Sequence, residues 1–473
     1  MDKVRMWILE ALIERKNSDE IVIETEYESI TYAQLYRYSA TMAYFINKMV
    51  NENNIGIYVE NNVDYIICYF SALFAGKCVV PIKMDLILSN VEKVLKKAEV
   101  RWIISDKLVQ IENINVIAPV RNENGPFFEI DRCISDNIML METTGTTNMR
   151  DRKLVRISEE NLKFVTESYV NTLNLSAIKN IKFWILAPLQ SSFGNYVFLS
   201  CISTGAVIYM RDNFLPWEFR NIILNEKITH IECISSLLFS LLKICKETEW
   251  GSLMYLGFGG EATGQDEILM LLERFRNVQI SQGYGLTEAS PLISIFPPRI
   301  SVDEPQVFRK KALSVGKILQ GIDVLVEDDG NNGIGEILVS GPNITKGYYK
   351  ERCEEIFKSG YLKTGDIGYV DEDGYLYIIG RKKNIVIIEG KNVQLEEVEH
   401  IIRLFPKVKE TRVYVMKDVF LGEQLCAEIL PLEGFTKKDL KKFLLKKIEY
   451  YKIPSKITII NEIERIGGKI RRK

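Results

Sequence analysis

Short apolar runs rich in Ile and Val alternate with helix-length amphipathic stretches from residue 21 to residue 258, and this alternation is the strongest constraint on the fold. Residues 21–25, 55–59, 78–82 and 102–105 read as strands, with helical spacing at 31–50, 65–75 and 89–98 between them. The rhythm returns with strands at 183–187, 206–210, 230–234 and 254–258. Parallel strands need long crossovers and helices supply them, so the pattern predicts layered α/β architecture. From about residue 315 the pattern changes to hairpins, with turns at 328–335 and 371–374. The tail from Lys382 reads as a compact α+β unit, with helices at 395–404 and 436–449 and strands at 412–416 and 427–430. At 473 residues one core is not enough. The expected organisation is a large N-terminal domain, 1–381, made of α/β subdomains plus a β-barrel-like hairpin region. A small mobile C-terminal α+β domain, 382–473, follows a tight hinge.

Composition narrows the function classes. No apolar run is long enough to cross a bilayer, and the charged, apolar start reads as a helix and not a signal peptide, which makes cytoplasm the default location. The eight cysteines are scattered singly, without a CxxC pair, so free thiols are expected and not a zinc site. Two histidines, His230 and His400, sit in apolar or helical contexts and read as structural, which argues against histidine acid–base chemistry. The net charge of −2 hides a basic tail, with 21 Lys and Arg against 13 Asp and Glu from Lys382 onward. That is either a solvated helix face or a module that meets an anionic partner. No recognition motif for nucleic acid accompanies it.

Four stretches carry chemistry. Thr143, Thr144, Gly145, Thr146 and Thr147, followed by Lys153, combine hydroxyls, a glycine and a cation after an apolar segment. Such a turn can wrap a polyphosphate, or be an ordinary solvated turn; the spacing is not that of a Walker loop. Gly257-Phe258-Gly259-Gly260-Glu261 ends a strand with glycines that admit a planar ring close to the backbone. In the stretch 281–289, Tyr284 offers a stacking face beside Gly285, Thr287 can reach a phosphate oxygen, and Glu288 can hold magnesium; in isolation it is also an ordinary turn. Asp366 and Arg381 stand on either side of one hairpin and can grip a diol such as ribose, or serve as a turn cap and a surface ion pair. Lys469, alone, is one cation of a basic end.

Taken in order, these motifs resemble those of the adenylate-forming enzymes: acyl-CoA synthetases, peptide-synthetase adenylation domains and luciferases. The resemblance covers nearly the whole chain. Gly283-Tyr284-Gly285-Leu286-Thr287-Glu288 is similar to the family's Tyr-Gly-x-Thr-Glu signature, and Gly467-Gly468-Lys469-Ile470 to its Ser-Gly-Lys-Ile end. The threonine loop departs from the family pattern: Asn148 replaces a glycine, the proline is absent, and two residues precede Lys153 as an insertion.

The resemblance implies a role for each residue. The threonine loop, Gly260, Glu261, Tyr284, Gly285, Asp366 and Arg381 bind ATP. Glu288 and Thr146 take Mg2+. Lys469, Thr287, Glu288 and Lys153 serve catalysis, and Lys383 marks the hinge. The implied activity is ATP-dependent conversion of a small carboxylic acid to an acyl-adenylate, then transfer to the phosphopantetheine thiol of CoA or an acidic carrier protein. That chemistry needs no general base. Phe193, Gly194, Tyr196, Phe258 and Leu292 are candidate lining of the acid pocket. No aspartate lies between Leu189 and Cys201 to pair with an α-ammonium, so a fatty, aryl or other ammonium-free acid is preferred. A degenerate member that binds nucleotide without turnover is the alternative, and a luciferase-like oxygenase a more remote one.

Overall fold

The computed structural model describes residues 7–128, 136–143, 153–211, 213–328, 330, 333–388, 391–418, 422–463, 465–466 and 469–470. Within these residues two large sheets carry the first part of the chain. One runs, edge to edge, through Lys317–Ile318, Leu292–Ile295, Gln279–Gly285, Tyr255–Gly259, His230–Ile234, Lys182–Ile185, Val207–Met210, Ile21–Thr25 and Ser29–Thr31. Its centre is parallel and its two ends antiparallel. The other runs Asn115–Ile117, Trp102–Ser105, Asn54–Tyr58, Cys78–Pro81, Met139–Glu142 and Leu154–Ile157, parallel except for the last pair.

The two sheets share one apolar core. Ile23 and Ile208 of the first and Ile55, Ile57 and Met139 of the second belong to the same buried cluster. Helices Tyr32–Met49, Val63–Phe74, Glu159–Leu173 and Ser192–Thr204 contribute to it. In Val63–Phe74 every residue except Asp64 is buried, the signature of a helix covered on all sides and not of an amphipathic surface helix. Side-chain caps start these helices: Thr31 accepts from the backbone of Gln34, Asn62 from Asp64 and Tyr65, Ser158 from Asn161 and Ser191 from Gly194.

The hairpin region forms an antiparallel sheet of Asp323–Asp328, Gly335–Ser340, Tyr361–Val370, Phe357–Lys358 and Leu376–Arg381. The last segment has its own apolar cluster, drawn from Ile388 to Ile457, around helices Leu395–Arg403 and Lys437–Leu444 and a sheet of Val408–Asp418, Gly422–Pro431 and Lys456–Ile459. The second helix is shorter than the predicted 436–449 because Ile448 and Tyr451 turn back onto the cluster. Among the described residues seven cysteines are free, six of them buried, and no helix is long and apolar enough to cross a membrane. His230 is buried between Phe183 and Tyr255, and burial alone drives its pKa down to about 3, so it is a neutral core residue. His400 lies 3.4 Å from Glu267, a contact between the last segment and the large sheet's helix Gln265–Arg274.

Candidate active site

The carboxyl ends of the parallel strands border a cavity of about 140 Å³, where open α/β sheets commonly place ligands. Its walls come from strands Tyr255–Gly259 and Gln279–Gly285, from the start of helix Ser192–Thr204 and from Leu292. Phe193, Tyr196, Phe258 and Leu292, expected from the sequence, do line it. Gly194 does not. A Cβ there would come within 2.3 Å of the Pro188 carbonyl, so this glycine lets the helix start against the preceding turn. Gly260, Tyr284, Gly285 and Thr287 border the same cavity and so join the acid pocket to the candidate nucleotide residues.

Tyr284 connects the cavity to the hairpin sheet. Its hydroxyl donates to Asp366 Oδ2 at 2.5 Å, and burial followed by the Asp366 charge holds the phenol well above its usual pKa. The tyrosine thus presents its hydroxyl to the carboxylate as well as a ring. Asp366 and Arg381 are register partners on adjacent strands, and Arg381 Nε lies 2.8 Å from Asp366 Oδ1. Arg381 Nη1 also donates to the Thr364 carbonyl at 3.0 Å, while the Thr364 hydroxyl accepts from the Asp366 N–H. The buried carboxylate is thus met by Tyr284 on one oxygen and Arg381 on the other, while Thr364 holds the Asp366 backbone.

A second set surrounds Glu288. The Tyr348 hydroxyl donates to Glu288 Oε1 at 2.9 Å, and the Thr345 N–H to the Glu288 carbonyl at 2.9 Å. The ammonium of Lys153 sits 4.5 Å from the centre of the Tyr348 ring. The Thr143 N–H donates to the Lys153 carbonyl at 2.8 Å, and the Lys153 N–H donates to the Thr143 hydroxyl at 3.1 Å. Asn161 caps its own helix and donates to the carbonyls of Pro342 and Ile344, which ties the segment bearing Thr345 and Tyr348 to the base of the threonine loop. Thr144, Gly145, Thr146 and Thr147 lie outside the described residues, as does the side chain of Lys469.

The Glu261 carboxylate is turned away from this constellation. It accepts from the Ser236 N–H at 2.8 Å, within the first turn of helix Ser235–Ile244. Lys383 is exposed in a short 3-10 turn, Lys382–Asn384, between the hairpin sheet and the last segment. The neighbouring Lys382 reaches Glu336 Oε2 at 2.7 Å across that junction.

The sequence reading passed over Glu232, which lines the cavity although it is only 2% exposed. Tyr169 and Tyr255 both donate to its Oε1, at 2.5 and 3.0 Å. Burial raises its pKa from 4.5 to about 7, opposed in part by these two bonds. The folded protein therefore holds a proton that the unfolded chain has released, and stability from this group falls as pH rises from about 4.5 to about 7. Urea midpoints of wild type should drop more between pH 5 and pH 8 than those of Glu232→Gln; equal pH slopes would show that Glu232 titrates as it does in the unfolded chain.

Together these features define the class: a protein with a buried carboxylate paired to a guanidinium and a phenol, a threonine and carboxylate set at one strand end, and a cavity that borders both. The family model for AMP-binding enzyme matches residues 9–349. The chain belongs to that family, the adenylate-forming enzymes. It is an AMP-forming acid–thiol ligase, which uses ATP and Mg2+ to activate a carboxylic acid as an acyl-adenylate and transfers the acyl group to a phosphopantetheine thiol.

Among its relatives is the 2-succinylbenzoate–CoA ligase of Oceanobacillus iheyensis, 28% identical, with 92% of each chain covered. The enzyme of the same name from Bacillus cytotoxicus is 24% identical over 99% of this chain and 97% of that one. In fold, the chain is similar to the o-succinylbenzoate CoA synthetase MenE of Bacillus subtilis in complex with its acyl-adenylate, with a TM-score of 0.85, 23% identity and 98% and 96% of the two chains covered. ATP-bound MatB from Rhodopseudomonas palustris gives a TM-score of 0.84 at 21% identity, with 99% and 97% covered.

Proposed function

We propose that this chain is an acyl-CoA synthetase whose reaction runs in the one chamber bounded by the acid pocket, Thr287 and Tyr284. The observation that carries this reading is the continuity of the chamber: Tyr284 lines the cavity and hydrogen-bonds the Asp366–Arg381 clamp. Asp366 accepts the ribose hydroxyls, with Arg381 fixing its orientation. Thr287 donates to the α-phosphate as the substrate carboxylate attacks in line. Lys153 and the threonines 143, 144, 146 and 147, around Gly145, hold the departing pyrophosphate. Lys469 adds a positive charge near the forming acyl phosphate bond, delivered by its long side chain. The barrier is lowered by positioning and charge, without a proton acceptor.

Glu288 offers one carboxylate to Mg2+, and among the described residues no cluster of three ligating side chains exists. Magnesium keeps several of its waters and is bound by one or two carboxylates together with substrate phosphates. Glu288, with Thr146, would hold it, and its charge would offset that of the triphosphate. The segment 382–473 is read as a separate lid domain that turns about Lys383 between the two half-reactions. CoA is the proposed acceptor, since the relatives that match over most of the chain are named CoA ligases. The reaction is placed in the cytoplasm, where both ATP and CoA are available.

ATP–pyrophosphate exchange over a panel of fatty, aryl and dicarboxylic acids, followed by thioester analysis with CoA and with a phosphopantetheinylated carrier protein, tests this reading. Exchange with at least one acid and thioester on CoA are expected. Exchange with none, despite ATP binding, would overturn the ligase reading, and acyl transfer to the carrier alone would overturn the acceptor.

A further inference from the structure

Glu232 is an unusual group to find in the wall of a pocket that must receive a carboxylic acid. It is an ionisable side chain in the middle of a central parallel strand, with Cys233 and Ile231 fully buried beside it. Its two hydrogen bonds, from Tyr169 and Tyr255, fall on the same oxygen, Oε1. Among the described residues nothing donates to Oε2, and the residue borders the cavity. Lys83 and Glu142 line the cavity as well, and among the described residues the groups that act on the ionisation of Glu232 are its burial and the two tyrosines.

Room for this carboxylate is made by Gly257, where a Cβ would come within 2.2 Å of Glu232 Oε1. Because the residue borders the cavity, a partner for Oε2 comes from the cavity side, as water or as a donor carried by the ligand. Much of the remaining wall is apolar and aromatic, from Phe193, Tyr196, Phe258 and Leu292, with Phe193 and Tyr196 stacked at 5.9 Å. Burial also keeps the Glu232 pKa near 7, so either a hydroxyl or an ammonium would find an acceptor there at neutral pH.

Building on the ligase reading above, we propose that Glu232 sets the substrate class: a small acid with an apolar body and, remote from the carboxylate that is activated, a hydrogen-bond donor received by Glu232 Oε2. Above about pH 7, where Glu232 is ionised, the same group disfavours a second carboxylate at that end, since two negative groups would share a buried site. This separates the chain from the relatives named for 2-succinylbenzoate, an acid with two carboxylates. The missing α-ammonium partner between Leu189 and Cys201 bears on the other end of the substrate, so a remote ammonium is compatible with it.

The test is exchange kinetics with matched acids. A benzoate and a short alkyl acid are each offered bare, with a terminal hydroxyl, with a terminal ammonium and with a second carboxylate; 2-succinylbenzoate is included. For wild type, kcat/KM is expected to be about 10- to 100-fold higher with a donor than without one, the scale of a hydrogen bond to a charged acceptor. The terminal-hydroxyl and terminal-ammonium arms identify the donor. Glu232→Gln should lose that preference, mainly through KM, and gain on the bare or doubly acidic members, a reversal that a general loss of structure would not produce. Wild-type preference for bare acids or for 2-succinylbenzoate would overturn the proposal while leaving the ligase reading intact. The wild-type ranking needs no variant, so a poorly folding Glu232→Gln does not protect the idea. Exchange with no acid would overturn the ligase reading and this inference with it.

Discussion

Asp366→Asn is expected to lower kcat/KM for ATP in the exchange reaction by about 100- to 1000-fold. The side chain is 4% exposed and holds Arg381 at 2.8 Å and Tyr284 at 2.5 Å. Removing its charge breaks the ion pair with Arg381, and because the Arg381 side chain is 40% exposed, water screens that part of the loss to about 1 kcal/mol. In the proposed complex the same oxygens also lose their bonds to ribose, and about 1.4 kcal/mol corresponds to each tenfold loss. Tyr284→Phe removes one of these bonds and keeps the ion pair, so a loss closer to tenfold is expected. Steady-state exchange kinetics with far-UV circular dichroism as a fold control would measure both. If the Asn variant keeps wild-type KM for ATP and stays within threefold of wild-type rate, Asp366 is not the ribose clamp.

Gly285→Ala should give the largest loss of stability among single methyl additions at the site. The new Cβ would stand 1.5 Å from the Pro291 carbonyl oxygen, 2.6 Å from its carbon and 3.1 Å from Leu292 Cα. All three are backbone atoms of the adjoining segment, so no side chain can rotate out of the way. The strands Gln279–Gly285 and Leu292–Ile295 would have to part at the bulge between Tyr284 and Gly285. Overpacking usually costs about 1–3 kcal/mol, and a backbone collision belongs at or above the upper end. Urea titration is the measurement, with Gly260→Ala as comparison: nothing lies within 4 Å of its added Cβ, and only its φ of +84° resists the change. A midpoint for Gly285→Ala equal to that of Gly260→Ala would show that the two strands yield freely. Because Tyr284 and Thr287 flank this point, activity should fall with stability.

The parallel architecture was legible because strands buried on both faces read as continuous apolar runs. His230–Ile234, Ile21–Thr25 and Trp102–Ser105 coincide with the predicted limits, and the other strands of that set shift by one or two residues. That Asp366 and Arg381 flank one hairpin was also legible from the turn at 371–374, but their direct pairing was not: the register shifts between Ile367 and Gly368, and the turn alone would set Asp366 opposite Gly380. Helices Glu159–Leu173 and Gln265–Arg274 were not anticipated; each mixes charged and apolar residues with little to mark it before the caps are seen.

The role of Glu232 needed tertiary information. Its two tyrosine donors lie 63 and 23 residues away in sequence, so no local pattern joins them. One signal was present: a glutamate inside an otherwise apolar strand, where charge is rarely buried without a purpose. Gly194 failed as a lining residue for the opposite reason, because a glycine in an aromatic segment can serve a ligand or a neighbouring carbonyl, and sequence does not separate the two. Glu261 was likewise read from its neighbours Gly259 and Gly260, whereas its carboxylate is spent on a helix start.

The carboxylate of Glu232 occupies the place a Cβ on Gly257 would take, which makes this part of the pocket wall a property of two positions on neighbouring strands. A methyl group at 257 and a long acid at 232 compete for the same space, so neither position can drift alone. Change of substrate class in this lineage would pass through paired replacements, small with long or larger with short. A single substitution at either place would leave a hole or a collision. Reciprocal occupancy of this kind predicts that 257 and 232 covary among relatives more tightly than either does with the nucleotide residues, whose ligand does not change.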